Sequence, residues 1–331
     1  MTLQNLKGQI EHEALPDSYL VTGDEPALLE KAKRLFSSII PVEDQEMNFS
    51  SYDFATAGLD DALADLTAPP FFGNHRVVMV TNPTFLAGGA KLSEGQEQAL
   101  STILDQPVPG NLLVIFAADL KLDKRKKLTK KILKQAEPLD LQRLNERQVR
   151  QAVQQLLTQR AFQIDPDAEQ ELLLRTQASY SRVLQELPKL LAYADDSRKI
   201  TRQAVDDLVI KESTAQAFDL ADLVLKGKRQ AAIETYHDLV KNGEAPLRLN
   251  ALLLGQFRLL LQVASLSGSD ADAGKTLGVH PFRVKLARQS LRNYPLGKIR
   301  EGFLKILDME IQMKSKQVDP LFLFEQFMVN F

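Results

Sequence analysis

The sequence predicts an α/β domain over the first 143 residues and all-helical structure from there to the end. Three observations carry this reading. Val77-Val78-Met79-Val80 and Leu112-Leu113-Val114-Ile115-Phe116 are apolar runs without polar alternation, as strands covered on both faces by helices require. Helical stretches alternate with such runs as far as Leu141, the rhythm of a parallel sheet. From Asn145 onward the strand signal stops and helical periodicity takes over.

Tyr19-Leu20-Val21-Thr22 reads as the first strand, ended by Gly23-Asp24. A helix over 26–39 follows, with Leu28, Leu29, Ala32, Leu35 and Phe36 on one face. Pro26 suits its first turn, where an N–H would be unpaired anyway. Residues 48–54 read as a second strand and 59–66 as a short helix. The runs at 77–80 and 112–116 are the third and fourth strands, followed by helices over 94–104 and 124–135. Leu139-Asp140-Leu141 is the last of roughly five strands. Helices are then expected over 148–159, 166–176, 180–194 and 201–210, with Asp165 and Thr201 as caps. Longer helices joined by short polar connectors fill the remainder. The division expected is 1–143, 144–212 and 213–331.

Composition narrows the function. The 331 residues are 44% hydrophobic and 25% charged, enough for full cores. Lys and Arg number 41 against 43 Asp and Glu, a net charge of -2, so any DNA contact must come from a local basic patch. The absence of cysteine excludes thiolate catalysis, disulfides and Cys-ligated metal. The N-terminus lacks a basic segment followed by an apolar run, and no apolar stretch reaches the ~18 residues of a membrane span, so a cytoplasmic protein is expected.

Each candidate site has a plain structural counterpart. A phosphate-binding loop after the first strand needs glycines, a Lys and a Ser or Thr. Thr22-Gly23-Asp24-Glu25-Pro26 is too short, has no Lys, and places two carboxylates where phosphate would lie. Gly274-Lys275-Thr276 has no strand before it and Gly268 at the wrong spacing. Residues 273–288 resemble a helix-turn-helix, with Gly278 at the turn and Arg283 and Lys285 able to face DNA; packing by Leu277, Val279 and Val284 explains the same pattern. Lys121 to Lys134 carries eight cations in fourteen residues, including Lys124, Arg125, Lys127 and Lys131. Asp123 reads as the N-cap of that helix. It is either a solvated face or a contact for DNA phosphates or an acidic partner. In Pro69-Pro70-Phe71-Phe72-Gly73 the two rings are either core residues or an exposed anchor for a partner's pocket. His12, His75, His237 and His280 are scattered without metal-ligand spacing, and no catalytic or cofactor motif emerges.

Six segments together resemble the delta subunit of the bacterial DNA polymerase III clamp loader. They are Tyr19-Leu20-Val21-Thr22-Gly23-Asp24-Glu25, Pro70-Phe71-Phe72 ahead of Arg76-Val77-Val78, Lys121-Leu122-Asp123-Lys124-Arg125-Lys126-Lys127, Glu186-Leu187-Pro188-Lys189-Leu190-Leu191-Ala192-Tyr193, Gln256-Phe257-Arg258-Leu259-Leu260 and Val279-His280-Pro281-Phe282-Arg283-Val284-Lys285. Pro188 departs from the family pattern and bears only on the local geometry of its helix. The resemblance implies an AAA+-like α/β domain, a small helical lid and a C-terminal helical collar. It implies a subunit of the polymerase holoenzyme that needs no cofactor and does not hydrolyse ATP. Such a subunit binds the beta sliding clamp and helps hold it open for loading onto primed DNA. Phe71 and Phe72 occupy the family's clamp-binding position. The collar would join gamma/tau and delta prime type subunits in a hetero-pentamer around primer–template DNA, with no membrane involved. The rivals are an ATP-hydrolysing AAA+ protein and a helix-turn-helix DNA-binding protein.

Overall fold

In the computed structural model, residues 2–71, 73–210, 213–315 and 318–331 are described. The chain divides into two units, Met1–Leu144 and Asn145–Phe331. The first runs α1 (Leu3–Glu11), β1 (Ser18–Gly23), α2 (Pro26–Ser37), α3 (Gln45–Asn48), β2 (Phe49–Asp53), α4 (Phe54–Ala57), α5 (Asp60–Thr67), β3 (Arg76–Thr81), α6 (Glu94–Asp105), β4 (Asn111–Ala118), α7 (Lys127–Gln135) and β5 (Glu137–Leu141). The five strands form one sheet in the order β2-β3-β4-β1-β5, every pairing parallel.

The apolar runs explain the layering. Successive side chains leave a strand on opposite faces, so a strand between two helical layers must be apolar throughout. Val77, Met79, Leu112 and Val114 pack on one face with Leu6, Ala32 and Phe36 of α1 and α2. Val78, Val80, Leu113 and Ile115 pack on the other with Leu63 and Leu66 of α5, Leu100 and Ile103 of α6, and Ile132 of α7. The result is the expected parallel sheet between helices. One local expectation fails: α7 begins at Lys127, not at Asp123. The Asp123 carboxylate instead accepts from the Arg125 amide (3.0 Å) and guanidinium (2.9 and 3.0 Å), so its capping capacity is spent on a preceding turn.

The second unit runs α8 (Glu146–Gln159), β6 (Gln163–Ile164), α9 (Pro166–Arg175), α10 (Tyr180–Tyr193), β7 (Lys199–Ile200), α11 (Arg202–Leu208), α12 (Ser213–Leu225), α13 (Arg229–Lys241), α14 (Pro246–Ala264), α15 (Asp270–Leu277), α16 (Pro281–Asn293), α17 (Leu296–Ser315) and α18 (Pro320–Asn330). β6 and β7 pair in parallel, a two-residue ribbon that helical periodicity alone does not predict. Thr201 caps α11 through the Ala204 amide as expected, whereas Asp165 makes no side-chain cap and pairs with Lys199 at 2.8 Å. α10 runs unbroken through Pro188, although the proline ring removes the donor that would reach the Leu184 carbonyl. Among α12 to α18, α14 is the central helix: Leu249, Leu253, Phe257 and Leu260 are fully or almost fully buried. No helix among the described residues is long and apolar enough to cross a membrane.

Candidate functional site

The turn after β1 is where a phosphate-binding loop would lie, and here its own chain fills it. The Leu141 carbonyl at the end of β5 accepts from the Asp24 amide (3.2 Å) and the Glu25 amide (3.1 Å). These backbone N–H groups are the ones an anion nest would present. Asp24 in turn accepts from the Arg143 amide at 3.0 Å and pairs with its guanidinium at 3.2 Å. Gly23 has φ +119, and a Cβ there would meet the Leu141 carbonyl carbon and oxygen at 2.2 Å. Only glycine permits this approach. Glu25, 2% exposed, lies beneath the turn. Leu141 and Arg143 have no local sequence signal for this role, because strand pairing brings them here from the far end of the unit, Arg143 lying 119 residues from Asp24.

The loop after α5 carries the aromatic pair. Phe71 is 49% exposed, outside both packed faces of the sheet; Phe72 lies outside the described residues. α5 is fixed beneath the loop by Asp65. Its carboxylate accepts from Ser50 Oγ (2.6 Å) and Tyr52 Oη (2.8 Å) of β2 and pairs with Arg76 of β3 at 3.3 Å. Burial, then the hydrogen bond to Asp65, pushes the Tyr52 phenol up.

The basic segment divides in two. Lys124, Arg125 and Lys127 are exposed, as are Lys130 and Lys134. Arg125 is paired with Asp123, whose carboxyl the arginine holds down at about 2. Lys131 points inward along α6, donating to the Ser101 carbonyl (2.8 Å), Ser101 Oγ (2.6 Å) and Asp105 (2.5 Å). Lys126 is half-buried and donates to the Phe85 carbonyl at 2.7 Å.

α15 and α16 do form a helix-turn-helix, turning at Gly278 in the left-handed conformation. Two cations of the second helix are paired within the protein, while Gln289 and Arg292 stay exposed. Lys285 pairs with Glu146 at 2.5 Å and Arg288 with Asp270 at 2.6 Å. Burial pulls the Arg283 guanidinium down. In the C-terminal helices, Phe257, Leu260, Leu323, Phe324 and Phe327 turn into their own core. Besides Leu247 on α14 and Leu296 at the start of α17, the exposed large apolar residues of these helices include two pairs, Leu304 and Ile311 on α17 and Phe322 and Val329 on α18, each more than half exposed. Each pair is spaced by seven, so each lies on one helix face.

A parallel sheet domain whose turn after β1 is filled by the end of β5, followed by helical bundles, is the architecture to be matched with known proteins. A family model described as DNA polymerase III, delta subunit matches residues 19–142, and one described as the C-terminal domain of that subunit matches residues 214–331. DNA polymerase III subunit delta of Bacillus subtilis (strain 168) is 32% identical over 318 residues, covering 94% of this chain and 92% of the relative. The solved Bacillus subtilis DNA clamp loader delta protein superposes with a TM-score of 0.74 at 29% identity, over 99% of this chain and 98% of that one. The chain belongs to the DNA polymerase III delta subunit family, and so to the clamp-loader machinery of DNA replication.

Proposed function

We propose that this chain is the clamp-binding, non-hydrolysing arm of its loader. The loop after α5 inserts Phe71 and Phe72 into a hydrophobic pocket of the beta sliding clamp and helps hold the ring open. ATP turnover is left to the motor subunits of the loader, and gamma/tau and delta prime type subunits are its partners in the ring. One observation supports this above the others: Phe71 is half-exposed on a loop anchored from below, where a core phenylalanine would be buried. Non-hydrolysis is supported by the closed turn, whose amides are spent on Leu141 and which carries no Lys.

In this reading the functional domains are 1–143, 144–212 and 213–331: clamp-binding domain, lid and collar. The collar meets neighbouring subunits of the hetero-pentamer through the faces bearing Leu304, Ile311, Phe322 and Val329. Between α17 and α18 these faces flank an open groove of about 460 Å³ lined by Leu304, Asp308, Gln312 and Phe327. Lys124, Arg125 and Lys127 offer phosphate contacts to primer–template DNA; Lys131 would join them only by giving up Asp105. The test is a purified chain titrated with the clamp and assayed for ATPase. Nucleotide-independent clamp binding without turnover is expected; turnover that co-purifies with the chain would refute the reading.

A further inference from the structure

The loop that carries Phe71 has its main chain held by buried side chains from two other elements. Asn48, at the end of α3 and 1% exposed, lies against the Phe71 peptide: its Nδ2 donates to the Phe71 carbonyl at 2.6 Å and its Oδ1 accepts from the Phe71 amide at 2.7 Å. This is the pairing a neighbouring β-strand residue would give, supplied by one side chain. Asn111, at the start of β4 and 5% exposed, donates from Nδ2 to the Leu66 and Ala68 carbonyls at 2.7 and 2.8 Å. These carbonyls end α5, where helical partners run out. Gly110, with φ +85, admits the other end of the loop: a Cβ there would lie 2.4 Å from the Asn74 carbonyl oxygen and 3.1 Å from Pro70 Cγ.

We infer that Asn48 is a positioning residue for clamp binding, with Asn111 and Gly110 supporting it, and that together they hold the anchor loop in its binding conformation before the clamp arrives. The inference rests on the clamp-binding reading proposed above. Asn48 has no need of this bond for α3 itself, since it lies at the helix's last residue and its side chain reaches across to a loop 23 residues away. Satisfying both main-chain groups of one residue, on either side of its Cα, fixes the backbone from which the Phe71 ring projects. A rigid loop avoids the ordering cost that a free one would meet on binding.

The test uses the full chain and four proteins: wild type, Asn48→Ala, Phe71→Ala and the double variant. Each is titrated with its sliding clamp, alongside a melting curve and hydrogen exchange of the loop amides. Losing two hydrogen bonds of ordinary net strength should weaken clamp affinity about 5- to 30-fold in Asn48→Ala. The effect should vanish in the Phe71→Ala background, because Asn48 acts through that residue. A general loss of stability would weaken both backgrounds alike. Should Asn48→Ala fail to fold, the wild-type protein still answers: the Phe71 amide must be protected from exchange, and exchange at an open-loop rate overturns the proposal. Phe71→Ala weakened with Asn48→Ala at wild-type affinity overturns the positioning role alone. Phe71→Ala at wild-type affinity brings down the clamp-binding reading and this proposal with it.

Discussion

Gly23 and Phe71 are the two residues of the first unit at which a single substitution is most telling. At Gly23 a methyl group would run into the Leu141 peptide, at a φ that side chains rarely adopt. Gly23→Ala should therefore cost about 1–3 kcal/mol of stability, read as a lowered melting temperature. An unchanged melting curve would mean that β5 does not close the turn. Phe71 poses the opposite case. Burying a phenylalanine in a core makes its truncation cost ~3–5 kcal/mol. With half of its surface in solvent, Phe71→Ala should cost less than about 1 kcal/mol in stability. A core-sized loss in thermal or urea denaturation would return the ring to the sheet packing.

At the scale of elements, α7 makes two opposed predictions along one helix. Lys131→Ala removes three hydrogen bonds to α6 and should destabilise the protein by roughly 1–2 kcal/mol. Lys124→Ala and Lys127→Ala remove exposed side chains and should leave stability within ~0.5 kcal/mol. If they meet phosphate, removing both should lower the salt slope of duplex DNA binding by about 2. Equal slopes for wild type and variant would assign them to a solvated face. A second element-scale prediction concerns α8, whose first residue Glu146 accepts from Lys285 of α16 and from Arg150. Burial pushes the Glu146 carboxyl up, but those two hydrogen bonds outweigh it and hold it below its ordinary value. A carboxyl depressed in the folded state stabilises above its unfolded pKa, near ~4.3, and that stability fades as pH falls below it. Glu146→Gln should thus lower stability at pH 7 and flatten its decline between roughly pH 5 and 3. A decline as steep as wild type would show that the pair contributes nothing to the acid limb.

For the whole molecule, the order of architectures is legible in the sequence. The apolar runs at β3 and β4 could only be strands between helices, and the long amphipathic stretches after Asn145 are helices in the structure. What stayed hidden is what depends on contacts distant in sequence. Leu141 filling the β1 turn, Asn48 pairing with the Phe71 peptide and Asp65 gathering β2 and β3 leave no periodic signal. Asn48 reads along the chain merely as the start of a strand. β6 and β7 are too short for a pattern to repeat. Asp123 misled for a different reason: the local capping rule was sound, but Arg125 took its carboxylate. In the C-terminal helices apolar content alone does not mark the exposed face, because Phe257, Phe324 and Phe327 pack internally. The residues left outside predict the assembly surface more narrowly. Leu304→Asp combined with Phe322→Asp should block entry into the loader, followed by size-exclusion chromatography, while leaving clamp affinity unchanged. Normal assembly would move the interface elsewhere.

The central claim is that the anchor loop binds the clamp without nucleotide. It is tested most directly by titrating the sliding clamp with wild type and with Phe71→Ala/Phe72→Ala in the absence of ATP. Aromatic anchors of this kind contribute on the order of 2–4 kcal/mol, so the double variant should bind ~30- to 1000-fold more weakly with a near-normal melting curve. Equal affinities for the two proteins would contradict the account.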